Sequence, residues 1–220
     1  MQAVDLYCER LGPGLLAEPL NALSNLAFLL GALLLLRSRA VRRNQAARLP
    51  AVLLANVGLG SLVFHTWATQ VGMVLDVAPI LLLIAWAGRE ALLRELGWNL
   101  SRIALVALAL LVGTLPLWFW VADPAAAGIA YVPAGVLLWA VWTRFHARGH
   151  HGASQLLVAS IAFTFAYTAR ALDGVLCAWI PMGTHWIWHL FNALSMTALI
   201  AGLTPATPPL RHPPSTEPGA

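Results

Sequence analysis

Seven long apolar stretches constrain the fold of this chain more than any other feature of its sequence. A helix needs about 20 residues to cross the ~30 Å hydrocarbon core of a bilayer, and each stretch is near that length. They are residues 20–36, 50–67, 72–88, 103–121, 128–145, 155–178 and 185–203. Since 60% of all residues are hydrophobic and only 10% charged, we predict an all-α polytopic membrane protein, a seven-transmembrane helix bundle.

The arginines predict how this bundle is oriented. All 13 basic residues are arginine, and 11 of them follow the first, third, fifth or seventh stretch, which places them on one side. Short cytoplasmic loops retain such residues, so the N-terminus is expected outside and the C-terminus in the cytoplasm. The domain plan is then an extracytoplasmic segment (1–19), a seven-helix catalytic domain (20–203) and a disordered, Pro-rich cytoplasmic tail (204–220).

Ionisable residues inside the stretches are few, and most are expected at one depth. Such groups are costly in a bilayer and usually face the bundle interior or a cavity. The second and third stretches meet at a short outer turn, so His65 and Asp76 lie equally deep, and the seventh begins at the same surface with His185 and His189. Ser61 shares a helix face with His65 because it lies four residues earlier. Two other buried charges, Arg170 and Asp173, are expected to form an ion pair.

Three imidazoles with an open fourth position are typical of catalytic zinc, where bound water becomes a nucleophile near neutral pH. His65, His185 and His189 are therefore the predicted zinc ligands. Trp186 follows the first of the paired histidines, so the glutamate of the H-E-x-x-H protease motif is missing. Asp76 becomes the expected base, with Ser61 as a hydrogen-bond donor to substrate.

Other functions remain open at this point. The same residues would suit the proton relay of a proton-coupled transporter, a receptor-like seven-helix protein with a non-catalytic metal site, or a haem protein. A retinal protein is excluded because the chain has no lysine for a Schiff base. Nucleic-acid binding is not expected, since the arginines follow the membrane topology.

The two cysteines are both expected on the outer side, where disulfides persist. Cys8 lies in the N-terminal segment and Cys177 near the outer end of the sixth stretch. A Cys8–Cys177 disulfide would attach this segment beside the last helix. Two buried free thiols are the alternative.

Three blocks of the sequence resemble the alkaline ceramidases and the wider membrane hydrolases that include the adiponectin receptors. They are "SLVFHTWATQVGMVLD", "HWIWH" and the N-terminal "DLYCERLGPGLLAEPLNALSN". The resemblance implies a zinc-dependent amidase in which His65, His185 and His189 hold zinc, while Asp76 and Ser61 take part in catalysis. The substrate would be a ceramide-like lipid that enters from the bilayer and yields a fatty acid and a sphingoid base.

The resemblance also implies calcium, bound by the acidic N-terminal segment through Asp5, Glu9 and Glu18. Carboxylate oxygens suit that ion. This chain departs from the family pattern, because Leu6 and Tyr7 stand where one Trp is expected and Leu11 or Gly12 replaces an Asn ligand. The arginine-only, Ala- and Leu-rich composition favours a prokaryotic source, hence a cytoplasmic membrane with the site facing outward.

Overall fold

The computed structural model describes residues 4–12, 14–96, 99, 101 and 131–205. These residues form helices and connecting turns without any strand, which confirms the all-α prediction for this part of the chain. The helices are α1 (Pro19–Ser24), α2 (Leu26–Arg37), α3 (Arg39–Arg43), α4 (Arg48–Trp67), α5 (Gln70–Leu96), α6 (Val132–Ala147), α7 (Ala153–Leu176) and α8 (His185–Leu203), with a 3-10 helix (Gln45–Ala47) before α4.

Five candidate membrane spans occur among the described residues. They are Pro19–Arg37 (α1 and α2 together), Arg48–Trp67, Gln70–Leu93, Ala153–Leu176 and His185–Leu203. Each matches a predicted stretch to within a few residues at most ends, although α5 runs farther than expected. The predicted span 103–121, residues 128–130 of the next, and residues 206–220 of the predicted tail lie outside the described residues. Seven spans and the orientation of the termini therefore stay predictions.

The outer faces of these helices are apolar, as expected for a protein surrounded by lipid. Large side chains on four different helices are about half exposed or more, including Leu30, Leu82, Phe165 and Leu194. A soluble protein rarely exposes so much contiguous apolar surface. The helices therefore belong to a multi-pass membrane protein.

Helix α8 occupies the centre of the described bundle. It packs along α7 and also contacts α1, α2, α4 and α5. One apolar cluster joins it to α2, α4 and α5 through residues such as Phe28, Leu54, Leu83 and Ile200. Because α8 touches so many neighbours, side chains on its inner face meet groups from distant parts of the sequence.

Helices α4 and α5 form a tight hairpin, and glycine makes their close approach possible. A Cβ added at Gly60 would lie only 2.0 Å from the carbonyl oxygen of Leu75. The connecting turn passes through Ala68, whose φ of 46° is left-handed, and its carbonyl accepts a hydrogen bond of 2.7 Å from the amide of Val4. The N-terminal segment therefore crosses the same end of the bundle as the hairpin turn.

Candidate metal centre

Three histidines from two helices meet at that end of the bundle. His65 lies in the last turn of α4, while His185 and His189 occupy the first two turns of α8. All three are at most 2% exposed, and one nitrogen of each lies within 4.8 Å of the others. Nitrogens this close together could hold one metal ion after modest side-chain movement.

The hydrogen bonds of two histidines leave a nitrogen of each available for a metal. His65 Nδ1 lies 2.5 Å from Glu18 Oε2, so it carries the proton and donates to the carboxylate. His189 Nδ1 lies 2.7 Å from Ser24 Oγ, and the Ser24 hydroxyl donates to the Asn21 carbonyl at 2.9 Å. Ser24 Oγ must then accept from His189, which also carries its proton on Nδ1. The Nε2 lone pairs of both rings are therefore unprotonated.

Unpartnered nitrogens support the fit of these residues to a metal. His65 Nε2 and His185 Nδ1 are buried without a hydrogen-bond partner. A buried polar atom without a partner is costly, and a coordinated ion would remove that cost. The histidine–carboxylate contact is the arrangement that orients metal-bound histidines in many proteins. Three buried histidines close together can thus hold a metal ion, and neutral nitrogen ligands are compatible with zinc.

Glu18 is ionised in this setting. Burial by itself raises the pKa of its carboxyl, but the interaction with His65 and the hydrogen bonds from Asn21 and Arg10 lower the pKa below its ordinary value. The carboxylate is therefore an acceptor for all three partners.

Ser61 and Asp76 lie near His65, and their catalytic roles stay predictions. Ser61 is buried one turn before His65 on α4, and it interacts with the Asp76 carboxylate on α5. Asp76 also interacts electrostatically with His65 and Arg170. The close approach of α4 and α5 at Gly60 sets this arrangement, because Gly60 precedes Ser61 and Leu75 precedes Asp76.

Asp173 does not pair with Arg170, so that prediction was wrong. Its Oδ1 accepts the amides of Thr184 and His185 at 2.6 and 2.9 Å, which caps the N-terminus of α8. The free backbone amides at the start of a helix require an acceptor. Accepting these two amides stabilises the fold more than an ion pair between Asp173 and Arg170 on α7 would. Arg170 instead donates to the hydroxyl of Tyr7 at 3.0 Å.

The N-terminal segment covers the histidines and is held there covalently. Cys8 and Cys177 form a disulfide, as predicted. Tyr7, which precedes Cys8 in the sequence, stacks on His185 with ring centroids 3.6 Å apart. Burial raises the pKa of Tyr7 to about 12, although Arg170 opposes that shift. Tyr7 is therefore a neutral phenol at neutral pH and shields one face of the His185 ring.

The carboxylates expected to bind calcium do not form a donor set for that ion. The two oxygens of Glu9 accept the amides of Leu20 and Asn21 at 2.6 and 2.8 Å, at the start of α1. Glu18 already contacts Arg10, Asn21 and His65, and Asp5 is exposed. Calcium binding stays a prediction of the resemblance, and the observed contacts do not fit it.

Sequence reasoning did not assign the residues that orient the histidines. Ser24, Tyr7 and Arg10 lie in the N-terminal block that resembles the ceramidases. That resemblance was the one feature of the sequence that indicated their importance. Their roles depend on contacts with residues 55 to 178 positions away, and no spacing in the sequence specifies such contacts.

An apolar cavity extends along α8 from residues near His189 toward the far end of that helix. It is lined by α5, α6, α7 and α8, with Ile84, Gly88 and Phe163 among its walls. Trp188 and Asn192 also line it, and they flank His189 on the inner face of α8. Both polar side-chain atoms of Asn192 are buried without a partner. The cavity thus combines apolar walls with one unpaired amide close to the candidate metal centre.

Comparison with known proteins gives one family for nearly the whole chain. A family model described as Ceramidase matches residues 8–214. This range contains the three histidines, Ser61, Asp76 and both cysteines. No curated protein matches the chain significantly.

Proposed function

The chain belongs to the ceramidase family, and we propose that it is a membrane zinc-dependent amidohydrolase acting on a ceramide-like lipid. The products would be a fatty acid and a sphingoid base. The observation that carries this proposal is the buried cluster of His65, His185 and His189 beside the Asp76 carboxylate. Family membership implies hydrolase activity, and the cluster supplies a metal site with a neighbouring base.

In the proposed mechanism the three histidines hold zinc, which when bound supplies a Lewis acid that makes water nucleophilic near neutral pH. Asp76 accepts a proton from the attacking water and afterwards delivers it to the nitrogen of the leaving amine, as a general base and then a general acid. The Ser61 hydroxyl donates a hydrogen bond to the carbonyl oxygen of the scissile amide, where negative charge develops.

The proposed acyl-chain site is the apolar cavity. Its apolar walls suit the methylene groups of an acyl chain. The side chain of Asn192, which is buried without a partner, would pair with a hydroxyl or amide of the lipid. A lipid that enters laterally from the bilayer would present these groups without first crossing water.

We also propose that the site faces the extracytoplasmic side of a prokaryotic cytoplasmic membrane. The arginine distribution supports this orientation, and the Cys8–Cys177 disulfide beside the histidines agrees with an oxidising compartment.

The proposed function is tested by metal analysis coupled to hydrolysis. We expect purified protein to contain one zinc per chain and to release fatty acid from a panel of fluorescent N-acyl sphingoid lipids. Ester analogues with the same chains show whether the amide is preferred. Undiminished hydrolysis by a preparation shown to be free of zinc would contradict the mechanism. Failure of zinc-loaded protein to cleave any N-acyl lipid would contradict the substrate class.

The cavity predicts how chain length is selected. A Cβ at Gly88 meets no atom within 4 Å, so Gly88→Leu should fold normally while it shortens the cavity. The added side chain would compete with the distal methylenes of a long acyl chain for the same space, and such overpacking costs at least about 1 kcal/mol, or roughly 5-fold in binding. We expect kcat/KM for long N-acyl chains to fall by about this factor relative to short chains. Gly174→Leu is the matched control, since a Cβ there also meets open space but lies away from the cavity.

A further inference from the structure

Arg10 is a buried cation in the N-terminal segment. It is 5% exposed although the segment has no regular structure. Its guanidinium makes three different contacts: Nε pairs with Glu18 Oε1, Nη1 donates to the carbonyl of Gly12 at 3.2 Å, and Nη2 donates to the carbonyl of His65 at 3.0 Å. One side chain thus joins the segment, the start of α1 and the end of α4.

Glu18 connects this cation to a candidate metal ligand. Its second oxygen lies 2.5 Å from His65 Nδ1 and 3.0 Å from Asn21 Nδ2. Arg10 therefore reaches His65 by two routes, through the backbone carbonyl and through the carboxylate that holds the ring. The first contact holds the backbone at the end of α4, and the second orients the His65 ring.

The physical chemistry requires a cation at this position. Glu18 is 1% exposed, and a buried carboxylate is strongly destabilising unless a positive partner compensates it. Arginine is suited to this task because it is always charged and its planar fork makes several directed hydrogen bonds. The resemblance assigns Glu18 to calcium, but here the positive charge next to Glu18 belongs to the chain itself.

We propose that Arg10 is a built-in cation that takes the place of calcium and acts as a positioning residue for His65. It holds Glu18 in place, Glu18 orients the ring, and the N-terminal segment stays docked without an added ion. The effect of Arg10 on zinc binding through His65 rests on the proposed function. The effect of Arg10 on the docking of the N-terminal segment does not depend on that function.

The first test compares Arg10→Gln and Arg10→Lys with Arg37→Gln, an exposed arginine at the other end of the bundle. Zinc release to a chromogenic chelator and the thermal unfolding midpoint in detergent are measured. Loss of a group that supports a metal-bound histidine typically weakens metal binding by about 10- to 100-fold, and we expect this for Arg10→Gln. Arg10→Lys should recover part of the lost zinc affinity, since lysine keeps the positive charge but lacks the planar guanidinium group that makes several hydrogen bonds. Zinc retention equal to that of Arg37→Gln would overturn the positioning role.

The second test measures calcium directly. We expect the wild-type midpoint to be the same in millimolar calcium and in millimolar magnesium, with no calcium in the purified protein. A midpoint that rises in calcium alone would overturn the replacement of calcium by Arg10.

A double-mutant cycle separates this inference from the proposed function. In Arg10→Gln combined with Glu18→Gln, the buried charge is removed together with its partner. The midpoint should then fall by less than the sum of the two single changes. This coupling is measurable even in protein that binds no zinc. Absence of zinc would therefore contradict the proposed function alone. If the decrease in midpoint of the double variant equalled the sum of the two single decreases, the ion pair would be contradicted.

Discussion

The variant His189→Ala is expected to lose bound zinc and lipid hydrolysis together. His189 supplies one of three candidate ligand nitrogens, and two imidazoles without a third protein ligand hold zinc poorly. A catalytic metal contributes several kcal/mol of transition-state stabilisation, so kcat/KM should fall at least about 1,000-fold. Zinc content by mass spectrometry and release of fluorescent fatty acid are measured on the same preparation.

His151→Ala is the matched control, because His151 is an exposed histidine in the loop before α7. It should retain both zinc and activity. The catalytic role of zinc would be refuted by a His189→Ala protein that folds, lacks zinc and still hydrolyses the lipid at the wild-type rate. Unchanged zinc content in that variant would equally remove His189 from the ligand set.

Asp76→Asn is expected to keep zinc and lose turnover. Asparagine has nearly the shape of aspartate, so the packing of α5 against α4 should be kept. It cannot accept the proton of the attacking water, and such proton transfer contributes typically 10²- to 10⁴-fold. The fall should therefore appear mainly in kcat, with zinc content equal to the wild type.

The control for this variant is Glu90→Gln, which removes a carboxylate from the same helix at a distance from the histidines, where it pairs with Arg89. Full activity is expected of it. If Asp76→Asn lost zinc as well as turnover, Asp76 would be a residue that supports the metal, and the proposed base would have to be sought elsewhere.

Helical architecture follows from local sequence because a bilayer leaves few alternatives. Backbone groups in hydrocarbon must pair within the chain, so an apolar stretch of sufficient length forms a helix. Residues 185–203 were predicted as a span and form α8 with the same ends. The break inside the first span was not predicted. This span is divided at Asn25 into α1 and α2, and hydropathy alone does not indicate such a division.

The site was predictable where it depended on depth and helical spacing. His185 and His189 share a helix face because they are four residues apart, and His65 and Asp76 meet because the α4–α5 turn is short. Arg170 and Asp173 show the limit of this reasoning. Their spacing on α7 allows a pair, but Asp173 turns to the free amides at the start of α8, and only the packing of α7 against α8 places those amides within reach.

The sequence by itself determined the all-α membrane class of the protein and the helices that carry the three histidines. Those properties are local, because hydropathy and helical periodicity act over a few turns. Tertiary structure alone decided which groups orient each histidine. Ser24, Glu18, Tyr7 and Arg10 act across long separations in the chain, and their hydrogen bonds exist only once the N-terminal segment is folded over the ends of α4 and α8.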